Sequence, residues 1–174
     1  PFMIDPGTQP DGEEYLAYNR RRWGSDGWTR SMRAAGKKEG AQYANWKWWP
    51  NTTHVSRLLL FAERTGGRGD ALLGVLYEMC YDEGENVSLR ETVARAAMRA
   101  SIPGGPEHVL TDEGMDDLRH ALGAGARVNG KRVSAAPCFS LRVAGQTLDF
   151  TGAQDTEQWV SLLEQCAQLA SGST

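Results

Sequence analysis

Apolar residues recur every three or four positions through most of this chain and fall into short, strand-length runs only near its end. The first spacing stacks side chains on one helix face, and runs that short between turn residues suit strands. Val55, Leu58, Leu59 and Ala62 share a face and predict a helix from Asn51 to Thr65-Gly66-Gly67. A second, over about 69–82, groups Leu72, Val75, Leu76, Met79 and Cys80. Ser88-Leu89-Arg90-Glu91 has the form of a capping box and predicts a helix to about Ala100, stopped by Ile102-Pro103-Gly104-Gly105-Pro106. Met115, Leu118 and Leu122 mark another around 111–123.

Upstream the stripes are weaker. Residues 1–10 read as the end of a strand entering a Pro/Gly loop. A helix over about 11–22 would hold Glu13 and Glu14 in its first turn, bury part of Tyr15, Leu16 and Tyr18, and stop at Gly24. Another over about 25–39 would pack through Trp28, Met32 and Ala35 and end at Gly40. Tyr43 to Pro50 is too aromatic and too short for a further helix and reads as loop or extended chain. The helices from Asn51 onward are expected to form a continuous block with no strand inside it.

After that block the character changes. Cys138–Val143 and Gln146–Thr151, split by Ala144-Gly145, predict a hairpin. A final helix over about 155–170 is expected to be capped by Asp155 with Gln158 and to bury Trp159, Leu162, Leu163, Cys166 and Ala170, with Ser171 to Thr174 fraying. Strand, helical block, hairpin and helix in that order predict a mixed α/β fold, in a length that suits one domain.

Composition narrows the function classes. A net charge of −3 gives no electrostatic case for nucleic acid or anionic lipid. Arg20-Arg21-Arg22 and Lys37-Lys38 read as solvated helix faces. No run approaches the roughly 18 apolar residues of a membrane span. The three cysteines, Cys80, Cys138 and Cys166, are odd in number and widely spaced, which points to a reducing, cytoplasmic setting. Cys80 and Cys166 read as small buried hydrophobes, and Cys138 as core filler. Trp46, Trp48 and Trp49 read as core or interface. His54, His108 and His120 lack metal-ligand spacing, and no catalytic triad, phosphate-cradling loop or dinucleotide fingerprint is present.

Four segments carry a family resemblance. Pro1-Phe2-Met3-Ile4-Asp5-Pro6 resembles a strand-and-loop "PFELDP", with Tyr15-Leu16 placed like its "EYL". Asn51-Thr52-Thr53-His54-Val55-Ser56-Arg57-Leu58-Leu59 is similar to "NT-x-x-A-x-R-L-L", with Val55 where Ala is usual. Glu83-Gly84-Glu85-Asn86-Val87-Ser88 resembles an "EGxDIS" turn. Ala136-Pro137-Cys138-Phe139 with Gly152-Ala153-Gln154 is similar to "GVPxF…GAQ", with Cys138 in place of the usual aromatic. In this order they resemble the FrnE-like branch of the DsbA family, thioredoxin-fold dithiol–disulfide oxidoreductases and isomerases.

The resemblance implies a thioredoxin-like fold of DsbA type: strand and loop at 1–10, a large all-helical insertion at 11–125, and a cis-Pro hairpin with C-terminal helix at 126–174. It further implies a domain that is N-terminally incomplete, because the family's redox motif, often CPWC, lies on a helix upstream of "PFELDP". No CxxC occurs in these residues. The catalytic dithiol is then expected outside the chain, on a companion N-terminal fragment or in an assembled oligomer. What remains is substrate-binding: Ala136 and Pro137 through a cis bond and backbone pairing, Gly152, Ala153 and Gln154 through the N–H groups of the last helix, and Asn51 and Thr52 as helix cap or groove lining. The expected partner is a thiol or disulfide substrate, with glutathione the candidate cosubstrate and no other cofactor or metal. Two alternatives stay open: a glutathione-dependent transferase or isomerase of the kappa-class or hydroxychromene carboxylate isomerase type, and a redox-inactive binding module.

Overall fold

The computed structural model describes residues 1–125 and 127–171; among these the chain is mixed α/β, mainly helical, with three two-stranded sheets. It divides into two compact units, a helical unit, Asp5–His120, and a hairpin unit made of Pro1–Ile4 with the segment from Ala121 onward.

The helical unit contains α1 (Tyr15–Trp23), α2 (Gly27–Lys38), α3 (Thr53–Gly66), α4 (Gly69–Tyr77), α5 (Arg90–Arg99), α6 (Gly105–Leu110) and the start of α7 (Met115–Ala124). Its core follows the predicted stripes of α3 and α4: Leu58 and Ala62 meet Leu72, Leu76 and Met79, with Val93, Ala96 and Ala97 of α5 behind them. Each large side chain so buried contributes about 1.5–3 kcal/mol. Glycines end α1 and α3 in the left-handed conformation, Gly24 at φ 75° and Gly67 at φ 62°.

Several expectations are corrected. Residues 1–10 form no strand, and Ile4 stands 58% exposed. The rest concern the helical unit. The expected all-helical insertion is interrupted by β1 (Glu13–Glu14) paired antiparallel with β2 (Trp48–Trp49). Glu13 therefore lies outside the helix, gripping Arg21 through Nε at 2.8 Å and Nη2 at 2.6 Å, and Glu14 caps α1 by accepting from the Ala17 N–H at 2.7 Å. On α2 the buried residue is Thr29, whose hydroxyl meets Tyr15 Oη at 2.6 Å; Trp28 and Ala35 are exposed. Leu89 is the N-cap of α5, with no side-chain cap, because the Ser88 hydroxyl accepts from the Asn51 N–H at 2.9 Å instead. The Pro/Gly stretch after Ile102 holds α6, whose early Pro106 needs no helical partner for its nitrogen. After Tyr77 the helix widens into a π-turn over Glu78–Asp82.

Arg57 is the largest fully buried side chain, 1% exposed. Its guanidinium donates to the carbonyls of His108 (2.9 Å), Thr111 (2.7 Å) and Glu113 (2.7 Å) and meets His54 Nδ1 at 3.0 Å. It thereby fastens α3 to the loop between α6 and α7. Burial, reinforced by Arg90 and Arg57, holds the His54 imidazole below its ordinary 6.5. Burial also lowers His108, with the Glu113 carboxylate partly opposing it. The unfolded chain therefore takes up protons before the folded one, so this contribution is complete above about pH 6.5 and declines as pH falls below it. The lowered carboxylates Glu13, Glu83 and Asp112 act only below their ordinary 4.5 or 3.8 and leave that window clean. Urea midpoints read by fluorescence of the Trp46–Trp49 cluster should fall between pH 7.5 and 5.5. Replacing both imidazoles, His54→Gln with His108→Gln, should flatten that slope; an unchanged slope would refute the assignment.

The hairpin unit holds β3 (Arg127–Val128) with β4 (Lys131–Arg132), then β5 (Cys138–Val143) with β6 (Gln146–Thr151), and α8 (Thr156–Ser171). The β5–β6 hairpin falls where the sequence places it, in the register Cys138↔Thr151 to Val143↔Gln146. Ala144 at φ 50° and Gly145 at φ 75° provide the two left-handed residues such a two-residue turn needs. β3 and β4 were not expected, being only two residues each. Ser171, expected to fray, is the last residue of α8; the boundary expected at Ala126 and the rest of the expected fraying, 172–174, lie outside the described residues.

Candidate functional site

In β5 and β6 the side chains alternate. Phe139, Leu141, Leu148 and Phe150 point to one face, and Cys138, Ser140, Arg142, Asp149 and Thr151 to the other. The apolar face receives α8, with Trp159 edge-on to Phe139 at 4.9 Å and to Phe150 at 5.3 Å, and the two phenyl rings 5.1 Å apart. The polar face is laced together by Asn129. Its amide nitrogen donates to Ser140 Oγ at 2.9 Å and Asp149 Oδ1 at 2.5 Å, and its oxygen accepts from Arg142 at 2.9 Å. Nothing in the sequence pattern marked Asn129 beyond a turn-forming Asn-Gly pair.

The Ala135-Ala136-Pro137 segment leads into β5, and all three residues are exposed. The peptide bond between Ala136 and Pro137 is cis. The Gly152 N–H donates to the Pro137 carbonyl at 2.9 Å, closing the open end of the hairpin. Gly152 holds φ 101°, a conformation that L side chains rarely adopt. Pro137 and Gly152 are therefore brought together, as the paired motifs imply.

α8 begins at Thr156, where the sequence places it. Gly152, Ala153 and Gln154, expected to supply N–H groups of the last helix, form the preceding loop instead. Asp155 Oδ1 accepts from the Gln158 N–H at 2.8 Å while Gln158 Oε1 accepts from the Asp155 N–H at 3.0 Å. This reciprocal cap is the expected pairing, and it fills the helix end with a carboxylate. A second anion, such as a glutathione carboxylate, would meet like charge there. Gln154 Nε2 turns back to the Gly152 carbonyl at 3.2 Å. Beside β6 runs a groove of about 590 Å³ floored by Leu148, Phe150 and Leu162 and edged by the amides of Gln154, Gln158 and Gln165.

Asn51 and Thr52 belong to the helical unit. Thr52 is the N-cap of α3 without a side-chain bond. Asn51 is fully engaged: Oδ1 accepts from the Thr53 N–H (3.1 Å) and hydroxyl (2.6 Å), and Nδ2 donates to the Thr8 carbonyl at 3.0 Å. Its amide is thus used in joining three segments, leaving little for a ligand.

The cysteines separate by environment. Cys80 is buried, and burial pushes its thiol up to about 12, so it behaves as a small hydrophobe. Cys138 is half-buried on the polar face, with the Thr151 hydroxyl 3.8 Å from its sulfur; it is not core filler, because strand alternation gives the core-facing position to Phe139. Cys166 is half-buried on α8. Trp46 is buried and Trp49 stacks on Tyr18 at 4.1 Å, so these rings serve packing. Among the described residues no three His, Cys, Asp or Glu side chains converge as metal ligands would, and no helix is long and apolar enough to cross a membrane. The chain matches none of the protein families, curated proteins or solved structures with which it was compared.

Proposed function

We propose that this chain is the substrate-orienting part of a thioredoxin-like, DsbA-type thiol–disulfide oxidoreductase or isomerase whose reactive dithiol lies outside these 174 residues. The observation that carries the reading is the exposed Ala135-Ala136-Pro137 segment, held at the mouth of the β5–β6 hairpin by the bond from the Gly152 N–H to the Pro137 carbonyl. Its exposed backbone can pair, strand-like, with an extended substrate peptide. A thiolate from the dithiol would attack one sulfur of the substrate disulfide, forming a mixed disulfide and releasing the other sulfur as thiolate; the second thiol would then displace the substrate and leave the dithiol oxidised. The part played by this chain is to hold the peptide so that its sulfur meets the attacking thiolate in line. Its three free cysteines suit a reducing, cytoplasmic setting.

Two measurements test this. Insulin reduction by the chain alone should stay at background, and robust turnover would overturn the assignment of the dithiol elsewhere. Titration with an extended, alkylated cysteine peptide should shift the amide resonances of Ala135, Ala136 and Cys138. A peptide that leaves those three unmoved would remove the binding role.

A further inference from the structure

The helical unit carries a second concavity, of about 500 Å³, between the end of α2, the Ala41–Tyr43 loop and the α4–π-turn junction. Three tyrosine rings form its walls. Tyr43 and Tyr81 lie 5.3 Å apart and nearly perpendicular, and Tyr77 lies 5.9 Å from Tyr81. The buried Trp46 backs them, its ring 5.0 Å from Tyr81. Met32 adds a polarizable thioether, and Glu78 and Asp82 stand at the edge. No Lys or Arg lines the cavity.

The arrangement is held in place before any ligand arrives. Tyr43 sits at φ 47°, a conformation uncommon for an aromatic residue, with its carbonyl accepting from Arg33 Nη2 at 2.8 Å. The same guanidinium lies over the Tyr15 ring, 5.7 Å from its centroid. The Tyr43 ring rests on Gly36, where a Cβ would come within 2.4 Å of it. Tyr77 immediately precedes the π-turn and Tyr81 lies within it, an irregularity that is common at functional sites. Burial pushes the Tyr81 hydroxyl up, so its ring stays neutral and its π face electron-rich. Glu78 is paired with Arg99 at 2.9 Å, which leaves Asp82 as the carboxylate not tied to a cation. Asp82 Oδ1 accepts only from the Ala44 N–H, at 3.3 Å.

We infer that this cavity is a binding site for an alkylammonium head group, enclosed by the faces of Tyr43, Tyr77 and Tyr81 and balanced by Asp82. Aromatic faces attract a cation through their quadrupoles, and several rings around one ammonium is the arrangement that recognises choline and methylated lysine. A neutral ligand would gain no charge pairing from Asp82, and an anionic one would be repelled by it. The head group can come from a free small molecule or from a lysine side chain of a peptide, and the chemistry is shared. The site is independent of the proposed thiol chemistry.

The test uses the 174-residue chain with two cationic probes, choline and a short peptide bearing trimethyl-lysine, and one neutral isostere, 3,3-dimethylbutan-1-ol. Calorimetry should show saturable binding of at least one cation below about 10 mM, at least about tenfold tighter than the isostere. The tighter of the two cations identifies the source. Tyr77→Ala, at a 55% exposed position, should weaken it about five- to tenfold, and Asp82→Asn should remove most of its salt dependence. Gly74→Leu is the control for folding. No atom lies within 4 Å of a Cβ built there, and leucine is a better helix former, so the variant should fold while filling the cavity and abolishing binding. Equal binding of cation and isostere, no binding by either cation, or full binding by Gly74→Leu would overturn the assignment.

Discussion

Arg57→Leu should cost the helical unit about 1–3 kcal/mol of unfolding free energy, a large effect for a single substitution in this chain. The side chain is 1% exposed and supplies donors to the carbonyls of His108, Thr111 and Glu113. Leucine would strip the guanidinium from all three; the His108 carbonyl would keep the Thr111 hydroxyl at 3.2 Å and the Thr111 carbonyl would keep Arg90 Nη1 at 2.8 Å, while the Glu113 carbonyl would lose its donor. It would also free the α6–α7 loop, which Arg57 ties to α3 across 51 to 56 residues of sequence. Lysine should not rescue the loss, because one ammonium on a flexible stem cannot reproduce a planar fork that serves several acceptors at once. Equilibrium urea unfolding is the measurement. A loss below about 1 kcal/mol, within the range of ordinary surface changes, would show that the network is incidental.

The second large effect concerns the hairpin unit. Among the described residues from Ala121 onward none is fully buried, whereas the helical unit buries Tyr18, Leu58, Leu72, Met79, Val93, Val109 and others. Leu163 is 54% and Val160 49% exposed on α8, so its apolar face is covered only around Trp159, Leu162 and Cys166. With so little apolar area removed from water, opening this unit should cost little, and its amides should exchange through local opening rather than global unfolding. Hydrogen exchange followed by mass spectrometry should therefore find β5, β6 and α8 exchanging at least about a thousandfold faster than the centres of α3 and α5. A thousandfold ratio corresponds to about 4 kcal/mol between the two openings. Comparable protection in both units would mean that the hairpin unit is stabilised by something its own packing does not supply.

The same exposed surface bears on the proposed function. A sheet of only two strands is marginal by itself, and a thioredoxin-like reading would add further strands beside β5. Adding an N-terminal segment that carries a dithiol should then raise protection in β5 and α8 together with insulin reduction, and a gain in activity without a gain in protection would separate the two ideas.

Much of this was legible in the residues. The stripes Leu58–Ala62 and Leu72–Leu76–Met79 needed only helical periodicity, since each is long and bounded by glycine. The β5–β6 hairpin followed from two six-residue runs around Ala144-Gly145, and the Asp155–Gln158 cap from a three-residue spacing. These features are local, and their energies come from neighbours in sequence. What the residues hid depended on distant partners. Whether Ser88 caps α5 or holds Asn51 is settled by a segment 37 residues away. Whether Trp28 or Thr29 faces inward depends on where Tyr15 lies.

By itself, then, the sequence determined where most of the helices and the β5–β6 hairpin form and which faces of α3 and α4 are apolar. The tertiary structure alone decided that Arg57 is interior, that Thr29 rather than Trp28 faces inward, and that Tyr43 joins Tyr77 and Tyr81 around one cavity. The physical reason is range. Periodicity and capping act within a few residues, whereas burying a charge or closing a ring of aromatics requires groups brought together by the packing of the whole unit.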